Sequence, residues 1–519
     1  MTALRKTALW QTSHRAPTGT PFTGARHDVV VVGAGITGLA TGLMLARTGS
    51  DVAVLEAGEV AQLATGANTG KVSLLQGTRL STLRRHHPAA LVRAYVEANR
   101  AGQDWLVAFA ETAGVPFTRR TAYTYAQTAS GLGAIERELE AAQEAGLPVR
   151  RVTAEELAGL PFPAVGAVAL DDQLAIDPDA VAAALARDVV AAGGTLHTGV
   201  RVTGVSVLPR VRVRTDRGTM AAGDVVLATG TPILDRGLYF AKVSAMRSLC
   251  VSFDVPGEVP AGLFLSADSP SRSIRSVTDA DGPGGATRLV VGGNGHPVGR
   301  EESERAGYDD LVAWTRQYFP GAVETHRWSA QDYESHNLVP FVGVLPRGRG
   351  KVRLATGFAK WGLTNGPAAA LRIAAELRGT PRKSRPAWMT KLGTRMTVPA
   401  DLARGAVENA KVAREALRGW VAAQAHPVPV PRPAEGDGVV GQRAGLPVGV
   451  ATVDGRTRAV SAICPHLGGV LAWNDAECTW DCALHGSRFD ADGVRIEGPA
   501  VRDLARLPHA GATGRPAQR

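Results

Sequence analysis

Near one end of the chain, two thiols and two imidazoles stand as C-x-H and C-x-x-H: Cys464 and His466, then Cys482 and His485 after a gap of fifteen residues. Thiolate sulfur and neutral imidazole nitrogen ligate both tetrahedral zinc and iron–sulfur clusters, and the spacing alone admits either. Cys478 fits neither pair and Cys250 lies far upstream, so both read as plain thiols. Near the other end, "VVVVGAGITGLA" (residues 29–40) places Gly33, Gly35 and Gly38 in G-x-G-x-x-G spacing behind an apolar run. Such a turn lets a pyrophosphate approach the backbone at a helix N-terminus, here Ile36 and Thr37. Glu56, about 20 residues on and followed by Ala57, is placed to accept ribose hydroxyls, and its charge argues against a 2′-phosphate. The chain thus combines a metal site with a site for a dinucleotide.

The elements that must position these residues follow from the pattern. "HDVVVVGAGITGLATGLMLARTGSDVAVLEAGE" reads as strand, tight turn, helix and strand, with Gly49 stopping the helix. Asp177 and Pro178 read as N-cap and first residue of the helix "PDAVAAALARDVVAAGG", which Gly193 and Gly194 end. Strand-like "TLHTGVRVTGVSV", alternating "VRVRT" and buried "DVVLATG" follow. This order predicts a doubly wound α/β sheet that returns Thr229 and Gly230 to the side of the first glycine loop. Helices near 89–113 and 129–145 supply a further layer. "VVGGNGHPVG" (290–299) lacks the spacing and the helical sequel of a second dinucleotide turn, which argues against a built-in NAD(P)H domain.

With 519 residues the chain exceeds one hydrophobic core and suggests two to four domains. Four cysteines make no disulfide framework, which points to a reducing compartment, the cytoplasm. The N-terminal "MTALRKTALWQTSHRAPTGTPF" does not read as a signal peptide, and no run of about 18 apolar residues occurs. The net charge of +10 is spread along the chain without a basic–aromatic motif, which argues against nucleic-acid binding. From Arg378 to Arg432 there are eleven Lys and Arg against three acids. Within that stretch "ADLARGAVENAKVAREALRGWVAAQ" reads as a helix with Leu402, Val412, Leu417, Trp420 and Val421 apolar. It suits a strap on the first domain or a peripheral contact with an anionic membrane surface. "AHPVPVPRPAEGDG" (425–438) reads as a stiff linker.

The segment from about 27 to 378 resembles the D-amino-acid-oxidase-like flavoproteins, which include glycine and sarcosine oxidases. The likeness rests on "VVGAGITGLATGLMLARTGSDVAVLEAG", "GVRVTGV", "VVLATG" and "VRLATGFAKWGLTNGPAAALRIAAEL". The resemblance implies FAD, with Val202 bordering the adenine. It places the loop "ATGANTGKVSLLQG", with Thr69, Gly70 and Lys71, by the flavin ring. Gly357, Lys360, Trp361, Gly362, Leu363 and Thr364 would lie at the helix end facing the flavin pyrimidine edge. Lys71 and Lys360 are the catalytic candidates, as cations beside the anionic reduced flavin. Many relatives have Asp-Gly after "QDY", where this chain has "ESHNLVPFVG"; Tyr333 and His336 there read as a packed aromatic and a surface imidazole.

"KWGLTNG", "RWSAQDY" and "GGNGHPVG" look like the bacterial subgroup that carries a C-terminal Rieske domain. Gly468, Gly469, "HGSRFD" and "EGPAVRDL" resemble the loops around a Rieske [2Fe-2S] cluster. That resemblance implies Cys464 and Cys482 on one iron and His466 and His485 on the other. Gly469 and Leu484 stand where respiratory relatives have a bridging cysteine pair, and Ser487 is placed to hydrogen-bond a cluster sulfur.

The expected fold is therefore an α/β (α+β) chain: a Rossmann-like FAD domain with an interleaved substrate domain, plus a small all-β Rieske domain. The expected bounds are 1–25 for an N-terminal extension, 26–380 for the oxidoreductase, 381–435 for strap and linker, 436–505 for the Rieske domain and 506–519 for a tail. The expected activity is oxidation of a C–N bond in an amine, amino acid or related metabolite. Electrons would pass from FAD through the cluster to an external acceptor protein, which requires the two domains to dock. A flavin monooxygenase fed through the cluster and a non-catalytic electron-transfer flavoprotein are the alternatives.

Overall fold

A computed structural model describes residues 5–11, 16–278, 287–392, 399–428, 430–507 and 512–513. The valine run His27–Val32 forms a strand whose parallel neighbours are Val52–Leu55 on one side and Gly218–Leu227 on the other, with Val32 opposite both Leu55 and Leu227. The sheet continues to Thr195–His197 at one edge and, through Val352–Thr356, to Phe341–Val344 at the other. A strand buried on both faces needs an unbroken apolar run, which is what Val29–Val32 and Val52–Leu55 provide. Helices Ile36–Ala46, Pro178–Ala191 and Gly362–Leu377 contribute Leu39, Leu43, Leu185, Val189 and Ile373 to the same core. Each such side chain, fully buried, stabilises the fold by about 1.5–3 kcal/mol. Asp177 caps its helix as expected, its Oδ1 accepting from the N–H groups of Asp179 and Ala180 at 2.8 and 3.0 Å.

A second, nine-stranded sheet is built from segments interleaved with the first. Its order is Val323–Ser335, Val243–Asp254, Thr287–Pro297, Arg272–Thr278, Leu263–Ser266, Phe117–Ala126, Gly166–Ile176 and Lys71–Val72, with Arg150–Thr153 beside Gly166–Ile176. Helix Ala89–Ala113 appears as expected. The helix expected at 129–145 is a tight turn, Ala129–Gly131, followed by Leu132–Glu144. Near the N-terminus, Ala8, Leu9 and Trp10 are buried with Trp328 and Cys250.

The chain divides into two compact units. One unit comprises 1–230, 248–295 and 308–396; the other comprises 231–247, 296–307 and 397–519. Within the second unit lie an antiparallel sheet of Gly438–Arg443, Leu446–Val453 and Arg456–Ser461, and another of Leu471–Asn474, Thr479–Cys482, Arg488–Asp490 and Arg495–Glu497. Trp480, Phe489, Val460 and Leu471 fill the core between them.

The Pro-rich stretch from 425 is held by backbone hydrogen bonds. His426 O accepts from Gln442 N–H at 2.8 Å, Val428 N–H donates to Gln442 O at 2.9 Å, and Gly436 N–H donates to Thr452 O at 2.8 Å. It is laid along the strand edge, where prolines are tolerated because an edge needs few donors. The tail likewise returns: Leu507 N–H donates to Ala459 O, and Ala512–Thr513 pairs with Val430–Pro431. Helix Pro399–Gln424 packs on strands Gly438–Arg443 and Leu446–Val453. Of its expected apolar face, Val412 and Trp420 are half-buried, whereas Leu417 and Val421 are 69% and 65% exposed. The side chain of Leu402 lies outside the described residues. Among the described residues no helix is long and apolar enough to cross a membrane.

Candidate functional site

The three glycines of the first turn meet different demands. Gly33 has φ +105° and a β-carbon there would stand 2.4 Å from Ala228 O, so the fold itself requires it. Gly38 is likewise required, by the carbonyl of Gly33. Gly35 has ordinary extended backbone, φ −81° and ψ 179°, and a β-carbon on it would meet only the Thr65 side chain, at 3.0 Å. Among the described residues nothing demands glycine at that position. A bound phosphate approaching the backbone does, and by this measure the turn fits a dinucleotide. Ile36 N–H points to Thr65 Oγ1 at 3.1 Å, and Thr37 is buried behind it. The Glu56 carboxylate accepts from Ala34 N–H at 2.8 Å and Gly58 N–H at 2.9 Å, with Ala57 between. Burial pushes this carboxyl above its ordinary value, opposed by those N–H groups.

The sheet returns Thr229 and Gly230 beside Gly33, as expected; Ala228 N–H donates to Val32 O at 2.8 Å and Gly230 O accepts from Thr356 Oγ1 at 2.5 Å. Val202 is buried at the start of its strand. Gly357 (φ +83°) and Lys360 (φ +74°) shape the loop leading to Trp361 and to the helix headed by Gly362. That helix packs on Ile36–Ala46 at Gly366, where a β-carbon would stand 2.8 Å from Thr37 Oγ1 and 3.0 Å from Ile36 Cγ2. Leu363 and Thr364 are buried. Thr364 Oγ1 donates to Asn99 Oδ1 at 2.5 Å, within a network that also ties Tyr95 to Gln76 and Asn99 to Asn365. The start of this helix is therefore tied to helix Ala89–Ala113 and, through Tyr95, to Gln76.

The two lysines differ. Lys71 is drawn inward, its Nζ donating to Phe264 O at 2.9 Å and Ser273 Oγ at 2.5 Å. Burial, reinforced by the Arg275 charge, pulls it down to about 7. Arg275, buried and missed by sequence reasoning, donates to Thr69 O at 2.5 Å and closes over Gly70, whose φ is +66°. Lys360 is exposed, and its backbone N–H donates to the Asp332 carboxylate, which burial pushes up to about 6. Tyr333 is packed as expected. His336 is buried, not at the surface, because Leu338 and Val339 carry that loop into the core. Cys250 is a buried thiol pushed up to about 12, in keeping with an inert role.

In the second unit, the two ligand loops share one construction. Cys464 N–H donates to Gly469 O and Gly468 N–H to Cys464 O; Cys482 N–H donates to Ser487 O and Gly486 N–H to Cys482 O. The fifth residue of each loop is a glycine with positive φ, +75° at Gly468 and +80° at Gly486. These matching turns bring the thiols of Cys464 and Cys482 together, free and buried. Cys464 is lowered by a hydrogen bond from the Cys482 thiol and then by the His466 N–H, Ser487 and Leu467 N–H. Cys482 is raised by that same contact, while the Leu484 and His485 N–H groups oppose the rise. Sulfur ligands of a cluster carry negative charge, and these donors suit it.

The imidazoles of His466 and His485 lie with centroids 5.1 Å apart. Burial lowers His485 to about 4, keeping it neutral, and its buried Nδ1 has no hydrogen-bond partner among the described residues. An orphaned nitrogen beside paired thiols fits a ligated metal centre. Ala500 N–H, from the loop around Pro499, donates to Ser487 Oγ at 3.0 Å. Gly469 and Leu484 are in contact: a β-carbon on Gly469 would stand 2.5 Å from Leu484 Cδ1. Apolar packing thus joins the two ligand loops at this point. Cys478 lies away from the site, its Sγ 3.9 Å from Gly436 O.

Comparison with known proteins agrees with this geometry. Residues 28–376 match the FAD dependent oxidoreductase family (DAO), and residues 425–508 match the Rieske [2Fe-2S] domain. The Rieske 2Fe-2S iron-sulfur protein YhfW of Bacillus subtilis is 27% identical over 488 residues, covering 92% of this chain and 93% of that protein. The cytochrome b6-f complex iron-sulfur subunit 1 of Nostoc is 49% identical over 51 residues, 10% of this chain and 28% of that protein. In fold, glycine oxidase from Geobacillus kaustophilus superposes with TM-score 0.60 at 21% identity, over 72% of this chain and 99% of that one. L-Amino acid deaminase from Proteus myxofaciens gives TM-score 0.58 at 19% identity, over 75% and 99%. The chain belongs to the DAO family of FAD-dependent oxidoreductases and carries a Rieske [2Fe-2S] domain.

Proposed function

We propose that the protein is a dehydrogenase that oxidises a C–N bond of an amine, an amino acid or a related metabolite and delivers the electrons through its Rieske centre to an external acceptor protein. One observation carries the reading: a chain matching the DAO family over residues 28–376 also contains the paired thiols and orphaned imidazole of a cluster site. The fold neighbours named glycine oxidase and L-amino acid deaminase support a C–N substrate. When bound, FAD supplies a two-electron acceptor and the cluster a one-electron carrier. Converting H–C–N–H to C=N releases two electrons and two protons, which such a pair can take up and pass on singly.

In this reading the backbone at Gly33, Gly35, Ile36, Thr37 and Gly38 holds the pyrophosphate, Glu56 and Ala57 the ribose, and Val202 the adenine side. Thr69, Gly70, Thr229, Gly230, Gly357 and Trp361 to Thr364 enclose the flavin half. Lys71, drawn down to about 7, holds or releases a proton near neutrality, and exposed Lys360 acts as a cation. Cys464 and Cys482 hold one iron, His466 and His485 the other. The Rieske domain is taken to begin at 425, where the family match starts.

The test is an anaerobic screen in which purified protein is mixed with amines, amino acids and their N-methyl derivatives. Flavin bleaching followed by cluster reduction supports the proposal. Bleaching only by a reduced ferredoxin would overturn it in favour of a cluster that feeds electrons inward.

A further inference from the structure

The rings of His466 and His485 are both covered: the His466 side chain is 6% exposed and His485 is buried. Two side chains of residues 231–247 lie against them, and that segment lies by sequence inside the oxidoreductase match and by packing in the same compact unit as the cluster loops. Phe240 meets both imidazoles edge-on, with centroids 5.2 Å from His466 and 5.0 Å from His485. Asp235 Oδ1 lies 3.1 Å from His466 Nε2. The segment is fastened at two points. Ala241 O accepts from Asn409 Nδ2 at 2.9 Å, and fully buried Arg247 lies 2.9 Å from buried Asp481.

A carboxylate at Nε2 fixes the imidazole with its proton there and its lone pair on Nδ1, the nitrogen left for metal. It also places negative charge one ring away from that metal, which favours the oxidised state.

We infer that Asp235 and Phe240 form a built-in cap on the histidine edge of the cluster. Asp235 is a positioning residue that orients His466 and lowers the potential, and Phe240 keeps water and outside molecules off both rings. Asp235 is 61% exposed, so screening by water keeps its electrostatic effect modest while the orienting hydrogen bond remains. An external electron partner then meets this unit away from the imidazole edge. The inference rests on the cluster reading but on neither the substrate nor the direction of electron flow.

The experiment uses the full-length, cluster-loaded protein and the variants Asp235→Ala, Asp235→Asn, Asp235→Glu and Phe240→Ala. Iron and acid-labile sulfide are counted per chain, the midpoint potential is titrated by circular dichroism, and the rate of diethyl pyrocarbonate modification is followed at each histidine by peptide mass. Wild type should hold two irons and two sulfides, the content of one [2Fe-2S] cluster. Asp235→Ala and Asp235→Asn should raise the potential, and Asp235→Glu should restore it. Phe240→Ala should speed modification of both histidines several-fold, and Asp235→Ala that of His466 alone. Iron lost in Asp235→Ala but kept in Asp235→Glu also supports the positioning role. Potentials and modification rates equal to wild type in loaded variants overturn the cap. Wild type without iron and sulfide overturns the cluster reading beneath it.

Discussion

Gly38 lies so close to Gly33 that a β-carbon on it would stand 1.9 Å from the Gly33 carbonyl oxygen. That contact separates what the fold needs from what a cofactor needs. Gly38→Ala must displace the helix from the strand and should destabilise the protein severely. A β-carbon at Gly35 meets, among the described residues, only the Thr65 side chain, at 3.0 Å, and Gly35→Val adds it there. It should leave the circular dichroism spectrum and melting temperature near wild type while flavin content falls below a tenth. A Gly35→Val protein purified with full flavin occupancy would show that the pyrophosphate lies elsewhere.

The ligand loops and the glycine turn lie in different compact units. Cys482→Ser should therefore abolish iron and sulfide while leaving flavin content unchanged. Flavin reduction by substrate should persist in this variant, and electron delivery to an external acceptor should stop. Stopped-flow absorbance separates the two steps.

Ser487 is buried and accepts from Ala500 N–H at 3.0 Å, which leaves its own hydrogen for Cys464 sulfur. Removing that donor withdraws about 1 kcal/mol of stabilisation from the more negative, reduced centre. Ser487→Ala should keep its iron and show a lower midpoint potential. It should also lose about 1–3 kcal/mol of stability, because Ala500 N–H is left unpaired. Redox titration and denaturant melts measure the two effects.

Lys71 carries a pH signature. Its ammonium is drawn down from 10.5 to about 7, so between those values the unfolded chain binds a proton that the native chain does not. Stability contributed at this site therefore rises with pH across that window, and the penalty for burying the charge is fully present below 7. Lys71→Met should be more stable than wild type at pH 6 by a few kcal/mol, because each pH step of one across the window is worth about 1.4 kcal/mol, and the advantage should shrink toward pH 10. If Lys71 handles a proton in turnover, the limb near pH 7 in the rate of flavin reduction should vanish in the same variant.

What the sequence determined by itself are the features that close within a few residues. Cys464 to Gly469 and Cys482 to Ser487 each fold into a turn through hydrogen bonds inside the loop, with a glycine where φ is positive. The thiols and imidazoles could therefore be paired by spacing alone. The approach of Gly38 to Gly33 and the Asp177 cap are local in the same sense. Local geometry depends on a residue and its near neighbours, so residue type and spacing report it.

The remaining features depend on which distant segments pack together. Asp235 reaches His466 across 231 positions, and Arg275 reaches Thr69 across 206. No period or motif marks either pair. Asp235 looks like any loop aspartate, and Lys71 like any lysine after a glycine, until burial shifts its proton. The Pro-rich stretch at 425–438 has the composition of a linker, yet it pairs with strand edges because Gln442 and Thr452 offer it hydrogen bonds. Desolvation and long-range pairing are set by the summed packing of many side chains, and only the folded chain decides which groups lose their water together.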